Sequence, residues 1–292
     1  MKFTIRNCAG LALLALLIPA NSSAQWLDYT PNGTPLKDDG TVDLSAPTPR
    51  TADGKPDLTG VWEHEQATLK DLKQTFGPDY DPAKQNSLIG MEDESVHKYG
   101  FNAMLDVDPE QVKLTPEGEA LMKRRRAERD TSNVCHSEYG WPVLGLLSEP
   151  IKIVQAPEET VLLYEIDHEH RQIFADGRKF PEEFSFPAFL GYSIGHWEGD
   201  TFVVDTRGFN ERTPIDGMGH PRSESMHVTE RYSRPDYGHL HSEVTFNDPT
   251  VYTKPFTITI NYTLVPNYDI FEMYCTQNEK DREHMVEEPK AK

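Results

Sequence analysis

The stretch Phe256 to Leu264 constrains this chain more than any other. Phe256, Ile258, Ile260, Tyr262 and Leu264 alternate one for one with Thr257, Thr259, Asn261 and Thr263. Successive side chains of an extended strand point to opposite faces, so the segment has one dry face and one wet face. A sheet of such strands hides its dry face by curling on itself or by packing on a second sheet. Further period-two runs broken by turn residues predict strands over 151–155, 161–166, 169–175, 192–197, 201–206, 224–232, 239–246 and 268–275. Asp176-Gly177 and Glu198-Gly199-Asp200 are turn signals between them. Repeated strand-helix units, which a doubly wound or TIM-type fold requires, are missing. The expected fold is mainly β: an antiparallel β-barrel or β-sandwich with an N-terminal arm and one or two short helices.

The clearest helix is expected over 116–129. Thr115 is placed to cap it, Pro116 suits its first position, and Glu117 and Glu119 put negative charge in its first turn. The basic run Lys123 to Arg126 then reads as a solvated face. A shorter helix is expected over 64–75, after Trp62, a buried anchor.

Lys2 and Arg6 precede an apolar run from Leu11 to Pro19, and Ser22-Ser23-Ala24 supplies small residues for cleavage. This pattern predicts a signal peptide over 1–24 and a periplasmic or secreted protein. The Pro-, Gly- and Asp-rich stretch 25–55 reads as an extended arm, 56–278 as a single β-rich domain and 279–292 as a charged tail. No later apolar run approaches the roughly 20 residues that a membrane-crossing helix needs. The formal net charge is -19, which disfavours nucleic acid, because no basic stripe is present to displace phosphate counterions. Of the 3 cysteines, Cys8 belongs to the signal. Cys135 and Cys275 are expected to form a disulfide in an exported chain, with free thiols or a reactive or metal-bound thiol as the alternatives.

Several longer stretches carry a resemblance: PDLTGVW at 56–62, LTPEG at 114–118, IVQAP at 153–157, FADGR at 174–178, GYSIGHWEGDTFVVDTRGFN at 191–210, SESMHVTERY at 223–232 and EVTFNDPTVYTKPF at 243–256. Through them the chain resembles a widespread family of uncharacterised secreted bacterial proteins. The resemblance implies export and supplies no activity. The segment GHWEGDTFVVDTRGF also resembles the glycine-tryptophan strand openings of lipocalin-like barrels.

The densest polar region is 196–243. On a strand over 224–232, Glu224, Met226, Val228, Glu230 and Tyr232 share one face, while Ser225, His227, Thr229 and Arg231 share the other. The next strand groups His239, His241, Glu243 and Thr245. Facing into a barrel, His227, Arg231, His239, His241 and Glu243 would line a ligand cavity. There His227 or His241 would move a proton, Glu224, Glu230 or Glu243 would orient it or act as its partner, and Arg231 would stabilise developing negative charge. Facing outward, the same residues form cross-strand pairs. His196, Trp197, His220, Arg222 and Glu243 are the expected ligand-binding residues, and a loop over 210–222 is placed to cover a pocket mouth. A metal centre is an alternative through His227, His239 and His241. Gly191 to Gly195 spells GxSxG, but the strand, sharp turn and helix of a nucleophile elbow do not surround Ser193. The readings that remain are an acid-base enzyme acting on a small organic or carbohydrate-like molecule, a non-catalytic periplasmic ligand-binding or structural protein, and a metal-dependent hydrolase. No cofactor is expected, and the oligomeric state is open.

Overall fold

The computed structural model describes residues 30–81, 96–128, 150–165 and 169–271. The expected signal and the charged tail lie outside them. Among the described residues, nine strands and two helices follow in order: β1 Gly60–His64, α1 Leu69–Phe76, α2 Pro116–Glu128, β2 Ile151–Gln155, β3 Glu159–Tyr164, β4 His170–Phe174, β5 Tyr192–Glu198, β6 Thr201–Arg207, β7 His227–Ser233, β8 His239–Asn247 and β9 Phe256–Leu264. They form a closed barrel in sequence order, with β1 hydrogen-bonded to both β2 and β9. The barrel solution is therefore taken over the sandwich. It is mixed rather than purely antiparallel, because β4 and β5 run parallel through Ile173–Ser193 and Phe174–Ile194. A parallel pair needs a crossover connection, and residues 175–191 supply it.

The strand that closes the barrel is β1, and the expected strand over 268–275 is not its ninth member. Tyr268 to Phe271 form no strand, and 272–275 lie outside the described residues. Once β9 pairs with β1, as in Trp62–Leu264, its edge is already filled. Tyr268 and Phe271 instead reach Glu165, whose carboxylate accepts from the Tyr268 hydroxyl at 3.2 Å and the Phe271 amide at 3.0 Å. Trp62 is fully buried and donates from its indole nitrogen to the Leu58 carbonyl at 3.0 Å. Helix α1 begins later than expected because Thr68 and Asp71 build its capping box: the Asp71 amide donates to the Thr68 hydroxyl at 3.2 Å and the Thr68 amide donates to Asp71 at 2.8 Å. Helix α2 starts as its sequence requires, with the Gly118 amide donating to the Thr115 hydroxyl at 3.0 Å.

Every alternate side chain of β9 from Phe256 to Leu264 is buried, and Leu240, Ser242, Val244 and Phe246 of β8 meet them. Phe246 stacks on Phe256 with ring centroids 4.7 Å apart. Each large apolar side chain buried in this way contributes about 1.5–3 kcal/mol. One end of the barrel is plugged by Tyr99, Ala103, Leu105, Phe209, Ile215 and Val251, all buried in the same core cluster. Across the other end lies the arm. Arg50 forks onto Asp200 at 3.0 and 2.7 Å, and the amides of Tyr237 and Gly238 donate to the carbonyls of Ala46 and Leu44. Gly199, with φ +62, makes the β5–β6 turn that Arg50 and Lys55 grip.

The expected disulfide is corrected. Cys135 and Cys275 lie outside the described residues, and the cysteines are not near disulfide distance of one another. A bridge requires the two Cα atoms to approach within about 7 Å. Among the described residues no helix is long and apolar enough to cross a membrane.

Candidate functional site

Period two places the polar and apolar halves of β7 on opposite sides of the barrel wall. Val228, Glu230 and Tyr232 are buried, whereas His227, Thr229 and Arg231 are only partly covered. Glu230 thereby enters the interior and meets Arg171 of β4. The guanidinium donates to the two carboxylate oxygens at 3.2 and 2.5 Å, to the Ser193 hydroxyl at 3.0 Å and to the Thr206 hydroxyl at 2.8 Å. Tyr232 donates to the same carboxylate at 2.6 Å. Burial works against the Arg171 charge, but Glu230 outweighs it and holds the guanidinium above its ordinary value. Burial, followed by the Glu230 charge, pushes the hydroxyls of Tyr232 and Tyr262 well above the usual phenol range, so both remain protonated donors. Ser193 is an interior hydrogen-bonding partner in this network.

Most residues expected to line a cavity lie instead on the outer face. His227 Nε2 meets Asp205 Oδ1 at 2.7 Å, and Thr229 donates to the same oxygen at 2.9 Å. Arg231 donates to Glu198 at 2.8 Å, and His196 lies 3.3 Å from that carboxylate. Arg231 first, and His196 after it, hold Glu198 below the ordinary carboxylate range. His241 meets Asn261 at 2.6 Å, His239 meets Asp236 at 2.7 Å, and Glu243 is exposed opposite Arg231. Glu224 is exposed just before β7. Glu230 alone of the five expected catalytic residues points into the barrel.

His227, His239 and His241 do not converge, because β7 and β8 run antiparallel: His227 pairs with Asn247, whereas His241 pairs with Ser233 at the far end of β7. Among the described residues no group of three or more His, Cys, Asp or Glu side chains is arranged to hold a metal ion.

The remaining expected ligand residues are dispersed. Trp197 packs on Phe202 at 5.0 Å under the Lys55 ammonium. His220 Nδ1 is held at 2.5 Å by the buried Asp216, whose carboxylate also accepts the amides of Ala103, Met218 and His220. Arg222 is completely buried beneath the 210–222 loop and donates to the carbonyls of Asn210 and Phe189. Burial pulls its pKa down to about 9.

A hollow lies outside the wall, over β1 and β2, between the arm and residues 265–271. It has a volume of about 700 Å³, and Val61, Leu264, Tyr237, Tyr268 and Phe271 give it mainly apolar walls. Arg234 stiffens one side. Its guanidinium donates to the carbonyls of Asp57, Tyr237 and Asp236 and lies over the rings of Trp62 at 4.8 Å and Tyr237 at 5.4 Å. The strand pattern gave no sign of this cleft, because two irregular segments build it. Arg171 did leave a signal, as an arginine sharing a strand face with Ile173. No family model, curated protein or solved structure matches the chain.

Proposed function

We propose that this is an exported, non-catalytic barrel that binds a small, mostly apolar molecule in the cleft over β1 and β2. The observation that carries the reading is the cleft itself, about 700 Å³ with mainly apolar walls. Ligand sites are typically clefts of roughly 300–1,000 Å³ with apolar linings and a few polar groups. Lys152 and Arg234 supply polar groups, and both are already committed, Lys152 to Asp269 at 2.7 Å and Arg234 to backbone carbonyls. A ligand there gains chiefly from burial of apolar surface.

Two further observations favour binding over acid-base catalysis. The barrel interior is occupied by packed side chains and by an Arg171–Glu230 pair whose hydrogen bonds are made within the protein. The histidines expected to move protons face outward, each beside its own acceptor.

The test is a fluorescence titration with 1-anilinonaphthalene-8-sulfonate. Thr59 is exposed and lines the cleft, so Thr59→Trp fills the space without touching the core. Saturable binding to the wild type, weakened at least about tenfold in Thr59→Trp with an unchanged melting curve, is the expected result. Binding that ignores the substitution, or no saturable binding, would reject the reading.

A further inference from the structure

A second, smaller hollow opens at the plugged end of the barrel. It holds about 310 Å³ and is lined in part by Phe184, Arg207, Glu224, Met226, His227 and Asn247. The register explains the assembly. Thr206 pairs with Val228, so the next residue of β6, Arg207, comes opposite His227, and His227 in turn pairs with Asn247 of β8. These side chains form one row across three strand ends on the outer face of the wall.

Phe184, from the crossover between β4 and β5, stands beside the row as an apolar wall. Its ring stacks on Tyr192 with centroids 5.5 Å apart and presses on Gly208, where an added Cβ would lie 2.4 Å from a ring carbon. Gly208 also has φ +73, so glycine is required there twice over. Arg207 lies 5.2 Å from the Phe180 ring. The aromatic loop thus positions both the wall and the cation.

Among the described residues Arg207 differs from most of the other surface arginines. Arg50, Arg124, Arg178 and Arg231 each sit in an ion pair. Arg207 and Glu224 carry opposite charges into one hollow, yet they lie too far apart to pair with each other. Among the described residues neither the Arg207 guanidinium nor the Glu224 carboxylate has a hydrogen bond or ion pair. His227 spends Nε2 on Asp205 and keeps Nδ1, and the Asn247 amide adds both a donor and an acceptor. A cation and an anion held apart beside an apolar wall suit a ligand that carries both charges and an apolar body.

We infer that this hollow is a binding site for a zwitterionic small molecule of the α-amino-acid class, with Arg207 taking the carboxylate, Glu224 the ammonium, and Phe184 the apolar side chain. The site is separate from the cleft over β1 and β2 and does not depend on it.

Calorimetric titration of the whole protein with L-phenylalanine tests the assignment, with phenylacetate and phenethylamine as analogues that lack one charge each. L-Phenylalanine is expected to bind at least about tenfold more tightly than either, since each charged hydrogen-bonded contact is worth about that factor. Arg207→Ala and Glu224→Gln should each weaken it by a similar factor, and Thr59→Trp should leave it unchanged. Both test residues are exposed, and circular dichroism confirms that the variants fold. No saturable heat with L-phenylalanine, equal binding of a singly charged analogue, or insensitivity to Arg207→Ala would overturn the proposal.

Discussion

The two faces of β7 differ by one residue of register and by almost everything else. Inside, Glu230 is locked to Arg171, with both side chains only 2% exposed. Outside, Arg231 reaches Glu198 with side chains 41% and 50% exposed. Both contacts are arginine-carboxylate pairs. Water stands ready to replace either partner of the outer pair, whereas nothing replaces a partner of the inner one. A polar residue in a barrel strand is thus defined by its side of the wall more than by its chemistry.

The comparison breaks most visibly at Glu230. Glu230→Ala strands the Arg171 charge in the core, and a loss of about 3–5 kcal/mol is expected in urea unfolding. A loss as small as that of a surface pair would mean that solvent reaches Arg171. The histidines offer the next contrast. His97 is completely buried with its ring 4.4 Å from that of His64, and its pKa is pushed well below the ordinary value by burial and, after that, by His64. Its folded pKa is therefore depressed, so the unfolded chain binds the proton first. Stability is full above the unfolded pKa of about 6.5 and falls as pH drops below it, by up to about 1.4 kcal/mol per pH unit until His97 itself protonates. His97→Phe should flatten that dependence in thermal melts recorded between pH 7 and 5. The smallest effect belongs to the outer pair: Arg231→Ala should leave the urea midpoint within error at physiological salt.

The strand pattern was legible because alternation is a direct print of burial. β2 and β9 have the limits that their sequence suggests, and Trp62 is the buried anchor. Which alternate set faces inward was harder to read. On β7 both sets carry ionisable residues, and the decision falls to Val228 and Tyr232, which carry Glu230 inside with them. The closing strand is not legible because Gly60–His64 buries the adjacent Val61 and Trp62 together, which breaks the alternation that marks the other strands. Turn and loop chemistry gave no warning of the cleft over β1 and β2, since its walls come from segments without regular structure.

The seam between β1 and β9 joins Trp62 to Leu264, residues from opposite ends of the described fold. Contacts between segments so far apart in sequence form only after a large loss of chain entropy, and folds rich in them assemble slowly. Until β1 docks, β2 and β9 are bare edges able to recruit strands from other chains. The hazard in this molecule is therefore one of timing: the first described strand of the barrel must wait for the last, and any delay in their meeting favours aggregation over closure.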